Sequence, residues 1–233
     1  MAANEVVLIT GAGRGIGLAV ADRFADLGAT VIGTSRTGEG AARITSSPDG
    51  RRTGIRLDLS EPGGDDAFVA AVRAVTDRVD VLICNAGIMI EADDIAGQTP
   101  DDFRRVLDVN LTGAFRTVRG TLPLLRAAPA PRVITLHGGL GNVSSGMEGG
   151  GCVAYRVSKA GIAALTMTLA EEGMESRLVA CGYDPGWVAT ELGGDDAPRK
   201  PAEAADEIVA LAERMRDGRL TGRLVRGDEI VSW

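Results

Sequence analysis

Short apolar runs alternate along the chain with longer stretches in which apolar residues return every three or four positions. Residues 5–10 contain Val6-Val7-Leu8-Ile9, which predicts a strand buried on both faces. The glycine-rich stretch Gly11-Ala12-Gly13-Arg14-Gly15-Ile16-Gly17 follows at once. Ile16, Val20, Phe24 and Leu27 then recur at helical spacing, with Asp22, Arg23 and Asp26 off that face, and Gly28 predicts the stop. Thr30-Val31-Ile32-Gly33-Thr34 predicts a second strand, ending in Ser35-Arg36. Strand, glycine turn, helix and strand make a βαβ unit.

The rhythm continues. Strands are predicted at residues 54–57, 79–84, 132–137 and 178–183, with a terminal edge strand at 223–225. Helices are predicted at 65–76, where Phe68, Val69, Val72 and Val75 share a face, at 153–173 and at 201–216. A long helix at 101–125 is expected to bend or end near Pro123. Gly138 to Gly151 reads as a glycine-rich loop. Apolar strands alternating with amphipathic helices predict an α/β fold, a parallel sheet of about seven strands covered on both faces. No linker, repeat or low-complexity tract divides the 233 residues, so one domain over residues 1–233 is expected.

Composition narrows the partners. Hydrophobic residues make up 45%, enough for a sizeable core. Twenty-five basic against 32 acidic residues give a net charge of -7, dispersed along the chain, which argues against a nucleic-acid surface. No apolar run reaches the roughly 18 residues of a membrane span. The first residues lack a signal peptide's apolar core. Cys84, Cys152 and Cys181 have no metal-like spacing and read as reduced thiols of a cytoplasmic protein. His137 is the only histidine, which leaves little material for a zinc site or a Ser-His-Asp triad.

Two stretches carry candidate chemistry. Glycines between a first strand and a helix let the backbone approach a phosphate, and the helix N-terminus supplies free N–H groups. In Tyr155-Arg156-Val157-Ser158-Lys159 the phenol and ammonium lie four residues apart, on one helix face. A phenol with a pKa of about 10 is a poor acid–base group at neutral pH. A nearby ammonium favours the phenolate, so the pair is a candidate for moving a proton at a substrate oxygen.

Taken together, the motifs resemble the short-chain dehydrogenases/reductases of the single-domain type. The resemblance rests on Thr10-Gly11-x-x-x-Gly15-x-Gly17, Asn85-Ala86-Gly87, Asn110 within Asp108-Val109-Asn110-Leu111, Tyr155 with Lys159, and Pro185-Gly186-Trp187-Val188-x-Thr190. The run from Thr221-Gly222-Arg223 to Trp233 resembles the carbonyl-reductase-like branch. The resemblance implies a Rossmann-type doubly wound sheet and hydride transfer between a nicotinamide and a small carbonyl or alcohol substrate. It implies that Tyr155 is the acid–base group, that Lys159 holds the nicotinamide ribose and lowers the tyrosine pKa, and that Asn110 holds a water linking Lys159 to solvent.

Further roles follow the same resemblance. Gly11, Arg14, Gly15, Ile16 and Gly17 form the cofactor turn. The Asp58 carboxylate accepts from the adenine and the Leu59 backbone flanks it, although Asp58 can equally be a helix cap. Asn85, Ala86 and Gly87 pass the adenosine side, and Pro185, Gly186, Val188 and Thr190 support the nicotinamide. Ser35 stands where NAD-preferring relatives carry an acidic residue. Arg14 and Arg36 nearby predict NADP(H) over NAD(H), unless they are simply solvated surface arginines. The long helices at 101–125 and 153–173 imply a homodimer or homotetramer.

One departure stands out. Relatives read roughly Val-x-x-Ser-Ser-Gly after the fifth strand, whereas this chain reads Val133-Ile134-Thr135-Leu136-His137-Gly138-Gly139. Gly138 takes the place of the serine that binds the substrate oxygen. Ser144 or Ser145 can fold back to replace it, His137 can donate, or Tyr155 can act with water alone. A protein that has left redox chemistry is the remaining alternative. The pocket is expected from residues 138–151, Trp187 and residues 191–200.

Overall fold

The first apolar run forms β1 (Val6–Ile9), flanked in parallel by β2 (Thr30–Ser35) and β4 (Val81–Cys84), with Val7 in register with Val31 and Val81. The computed structural model describes residues 4–46, 50–61, 63–145 and 150–233. β3 (Arg52–Arg56) extends the sheet past β2, and β5 (Arg132–Leu136), β6 (Val179–Tyr183) and β7 (Leu224–Arg226) extend it past β4, all parallel. β8 (Glu229–Val231) lies antiparallel on β7. The order β3-β2-β1-β4-β5-β6-β7-β8 is doubly wound. The direction of winding reverses between β1 and β4, and a crevice opens there at the carboxyl ends of the strands.

Both faces are covered because both are apolar. Val7, Ile9, Val31, Ile83, Ile134 and Tyr183 pack with the helices α1 (Gly15–Asp26) and α7 (Pro201–Arg214). The intervening Leu8, Ile32, Leu82, Val133 and Ala180 pack with α3 (Asp65–Arg73), α5 (Gly113–Arg126) and α6 (Val153–Gly173). Each fully buried Leu, Ile or Val contributes about 1.5–3 kcal/mol, so neither face is stable uncovered.

Three expectations are corrected in detail. Seven strands form the expected parallel sheet, but an antiparallel eighth, β8, takes the edge, so the strand expected there at 223–225 is the inner strand β7. The stretch 101–125 is not one helix bent at Pro123. It is α4 (Pro100–Leu107), a π turn at Asp108–Thr112 and then α5, which continues through Pro123 to Arg126. Pro123 removes one hydrogen bond near the helix end, where little depends on it. The helix α2 (Gly38–Thr45) was not expected, because two glycines in eight residues give it weak propensity. Its start is fixed by Thr37, whose hydroxyl accepts from the Gly40 amide. Among the described residues no helix is long and apolar enough to cross a membrane, and the three cysteines are free thiols.

Candidate active site

Strand β1 delivers the chain into a turn that only glycines can make. Gly11 has φ +67° and Gly15 φ +55°, in the left-handed region. A side chain on Gly17 would collide with the Gly11 carbonyl and Asn85. The turn is braced from β4: Asn85 Nδ2 donates to the carbonyls of Thr10 (2.8 Å) and Gly11 (3.0 Å). Thr10 Oγ1 accepts from the amides of Asn85 and Ala86, both at 3.1 Å. The Asn85 side chain is therefore spent on holding the turn. α1 begins at Gly15 with no side-chain cap and no acidic residue in its first turn, so its first amides are left to face an anion.

A cleft of about 1480 Å³ crosses this end of the sheet. Gly11, Arg14, Gly15, Ile16, Gly17, Arg36, Asp58, Leu59, Asn85, Ala86 and Gly87 all line it, with Tyr155, Lys159, Pro185, Gly186, Val188 and Thr190. Asn110 does not. At the end near β2 and β3, Asp58 Oδ1 accepts from the amide (2.9 Å) and hydroxyl (2.7 Å) of Ser60. Burial opposes its ionisation, but these bonds, with Arg36 and Arg105, hold its carboxyl below the usual carboxylate range. Arg36 is exposed at this end. Arg14 pairs with Glu191 across the cleft mouth. Arg43 on α2 was missed in the sequence. It lines the cleft and donates to the Gly13 carbonyl at 3.1 Å.

At the other end, Tyr155 and Lys159 stand on the first turns of α6. Lys159 Nζ donates to the Leu136 carbonyl at 2.8 Å and lies 5.5 Å from the centre of the Tyr155 ring. Burial pushes Lys159 down to about 8, against the pull of Asp184 and Cys84. Burial pushes Tyr155 up to about 12, and Asp184 adds to this. The expected lowering of the tyrosine pKa is thus reversed among the protein's own groups. The ammonium sits beside the ring and gives its hydrogen bond to β5, so desolvation wins.

Asn110, in the π turn, is buried and fully engaged. Its Oδ1 accepts from the Ile88 amide (2.8 Å), and its Nδ2 donates to the Ile88 carbonyl (2.9 Å) and Ser158 Oγ (3.0 Å). It ties the segment after β4 to α6, between Tyr155 and Lys159. A Cβ on Gly87 would lie 3.4 Å from Asn110 Oδ1 and 3.8 Å from Lys159 Nζ.

Gly138 has extended backbone (φ 174°, ψ 143°), open to any residue, and a Cβ there would lie 3.2 Å from Tyr155 Oη. Among the described residues, neither Ser144 nor His137 brings a donor to it. Ser144 Oγ donates to Asn142 Oδ1 at 2.7 Å and does not line the cleft, and the Ser145 side chain lies outside what is described. His137 is 2% exposed with neither ring nitrogen hydrogen-bonded. Burial, then the Lys159 charge, pushes its pKa down to about 4, so the imidazole is neutral. It meets Trp233 edge to face at 5.7 Å.

Further contacts, not foreseen from the sequence, hold this loop and the chain's last residues. Arg156 Nε donates to the Gly151 carbonyl at 2.8 Å. Trp233 packs over Gly182, where any side chain would collide with its ring, and donates from Nε1 to the Gly222 carbonyl at 3.0 Å. The Ser232 carbonyl accepts from Asn142 Nδ2 at 2.7 Å, and the Trp233 carbonyl from the Ser144 amide at 2.8 Å.

The chain is similar to known proteins. Residues 5–200 match the short chain dehydrogenase family. The chain is 28% identical over 220 residues to the 3-oxoacyl-(acyl-carrier-protein) reductase FabG of Escherichia coli, covering 94% of this chain and 85% of that one. It is 33% identical over 189 residues to the 3-oxoacyl-(acyl-carrier-protein) reductase MabA of Mycobacterium tuberculosis, covering 81% and 71%. The carbonyl reductase Sniffer of D. melanogaster superposes with a TM-score of 0.90 at 26% identity, over 99% of this chain and 100% of that one. A 3-ketoacyl-(acyl-carrier-protein) reductase of Brucella melitensis, solved in complex with NADH, gives 0.84 at 26% identity over 96% of each. The chain therefore belongs to the short chain dehydrogenase family.

Proposed function

We propose that this oxidoreductase moves hydride between NADP(H) and a carbonyl or alcohol substrate, with residues 1–233 acting as one cofactor-binding and catalytic unit. The observation that carries the reading is the Tyr155 phenol, kept protonated by burial beside the Lys159 amine at one end of a cleft whose other part is a glycine turn.

The residues present fit a dinucleotide. Gly11, Gly15, Ile16 and Gly17 leave room for a diphosphate at the uncapped start of α1, where a side chain on Gly17 has no space. Asp58 and Leu59 would hold the adenine, the backbone of Asn85, Ala86 and Gly87 its ribose side, and Pro185, Gly186, Val188 and Thr190 the nicotinamide. Arg36 and Arg43 line the cleft with Ser35, where a 2′-phosphate would lie. Arg14 lines the same cleft while paired with Glu191. Bound nicotinamide supplies or accepts the hydride.

The chain's own groups handle the proton. Neutral Tyr155 donates to the developing alkoxide oxygen in reduction and takes the proton back in oxidation. Lys159, protonated below about pH 8, stabilises the phenolate as it forms and reaches the nicotinamide ribose. Asn110 positions α6 through Ser158 and Ile88. Gly138 leaves the substrate oxygen without the usual hydroxyl. Phe115 on α5 and Val157 and Met167 on α6 are exposed, which suits a homodimer or homotetramer built on these helices.

The test is NADPH consumption across ketones and aldehydes. Tyr155→Phe is expected to abolish it, and equal rates in the variant would sink the assignment. Gly138 favours one second reading, a cofactor-binding protein with little or no redox turnover. That reading expects NADPH binding without consumption on any carbonyl.

A further inference from the structure

We propose that Arg226 is an anion-binding residue of the substrate pocket, so that the substrate carries a carboxylate close to its carbonyl: a short oxo acid, or the matching hydroxy acid. The proposal rests on the carbonyl-reductase reading above and names its substrate class.

Arg226 ends β7 and lines the same cleft as Tyr155. Its side chain is 52% exposed, unlike the Asp184 carboxylate it pairs with, which is completely buried. Asp184 sits at the end of β6 and also accepts from the Gly186 amide at 2.9 Å. One edge of the guanidinium is therefore fixed by a group that cannot move. Its Nε and Nη1 make no hydrogen bond among the described residues, so the fork retains donors to present to the cleft. A guanidinium held in place with donors to spare matches a carboxylate in two-point geometry.

The neighbouring residues leave it accessible. A Cβ on Gly139 would lie 3.6 Å from Arg226 Nη2, as a Cβ on Gly138 would lie 3.2 Å from Tyr155 Oη. Phenol and guanidinium thus border two consecutive residues, neither of which has a side chain to stand in a substrate's way. Lys159, Arg226 and Asp184 leave this end of the cleft with an excess of one positive charge. The acidic Glu191 is occupied by Arg14. Glu91 lies on the segment whose Ala92 carbonyl accepts from the Cys152 amide at 2.9 Å. That bond holds the segment to the start of α6. A carboxylate docked on Arg226 would orient the carbonyl toward Tyr155, doing by position what the absent serine hydroxyl does by direct contact.

The experiment compares matched pairs with NADPH: an oxo acid and its methyl ester, across chain lengths of two to five carbons. Wild type is expected to prefer the acid. Arg226→Lys keeps a counter-charge for Asp184 but loses the fork. It should lower kcat/KM for the acid about tenfold to a hundredfold, the loss expected for a charge-assisted hydrogen bond, while ester turnover, which does not use the fork, falls far less. The double variant Arg226→Gln/Asp184→Asn removes the buried pair as a unit and should erase the acid preference. Equal turnover of acid and ester by wild type, or a preference surviving in both variants, overturns the proposal. If no carbonyl consumes NADPH, the reductase reading fails instead, and binding of unreactive oxamate in the presence of NADPH decides the subsite. Binding lost in both variants supports it, and equal binding in all three proteins overturns it.

Discussion

Replacing Lys159 with methionine should change how stability depends on pH. The amine is pushed from 10.5 down to about 8, chiefly by burial. At about 1.4 kcal/mol per pH unit, the difference is about 3 kcal/mol. The folded protein binds this proton more weakly than the unfolded chain does. The cost is therefore fully present below about pH 8 and fades as pH rises toward 10.5, so stability rises with pH in that window. Lys159→Met has no such dependence. At pH 7 the variant escapes the cost but strands the Leu136 carbonyl that accepted at 2.8 Å, a loss of about 1–3 kcal/mol. The sign at one pH is thus uninformative, and the slope decides. Urea unfolding of both proteins at fixed concentration, from pH 7 to pH 10.5, should show wild type gaining about 3 kcal/mol on the variant. Parallel stability curves would refute the claim that this amine is held charged against its burial.

Three further outcomes are expected. Gly138→Ser places Cβ 3.2 Å from Tyr155 Oη, tight but on extended backbone; turnover of a neutral ketone should rise about 10²–10³-fold, the value of one preorganised donor, and an unchanged rate would show that the site has no use for that hydroxyl. Arg36→Ala should weaken NADPH binding about tenfold, one charge-assisted contact's worth, with NADH affinity nearly unmoved in the same titration. Trp233→Ala removes a part-buried ring that covers His137 and Gly182; unfolding should become easier by about 3 kcal/mol, and KM should rise with it because the carbonyls of Ser232 and residue 233, which hold Asn142 and Ser144, lose the ring that anchors them.

Much of this was legible in the chain because it is local. Val6-Val7-Leu8-Ile9 followed by glycines needs no tertiary information to be read as a strand entering a tight turn. Asn110 was found by resemblance, but its π turn was not: five residues of slightly widened helix leave no periodic signature. Helix α2 and strand β8 were missed because eight and three residues carry too little pattern. The direction of the Tyr155 pKa could not be read from a Tyr-x-x-x-Lys spacing. It depends on burial and on Asp184, which the spacing does not contain. Arg226 meets Asp184 across 42 residues, and Trp233 meets Ser144 and His137 on a loop far back in the chain, which no window of sequence reveals.

The contact between the chain's last residues and the loop after β5 has a dynamic consequence. Strands β7 and β8 form a short hairpin at the sheet edge, the kind of element that opens locally without global unfolding. Arg226 sits in that hairpin, and Asn142 and Ser144 hang from the residues just beyond it. When the hairpin opens, the pocket wall and the loop are released together. A ligand that fixes Arg226, Asn142 or Ser144 should therefore slow amide exchange in β8, a strand that does not line the cleft, and the sheet edge becomes a reporter of what the cleft holds.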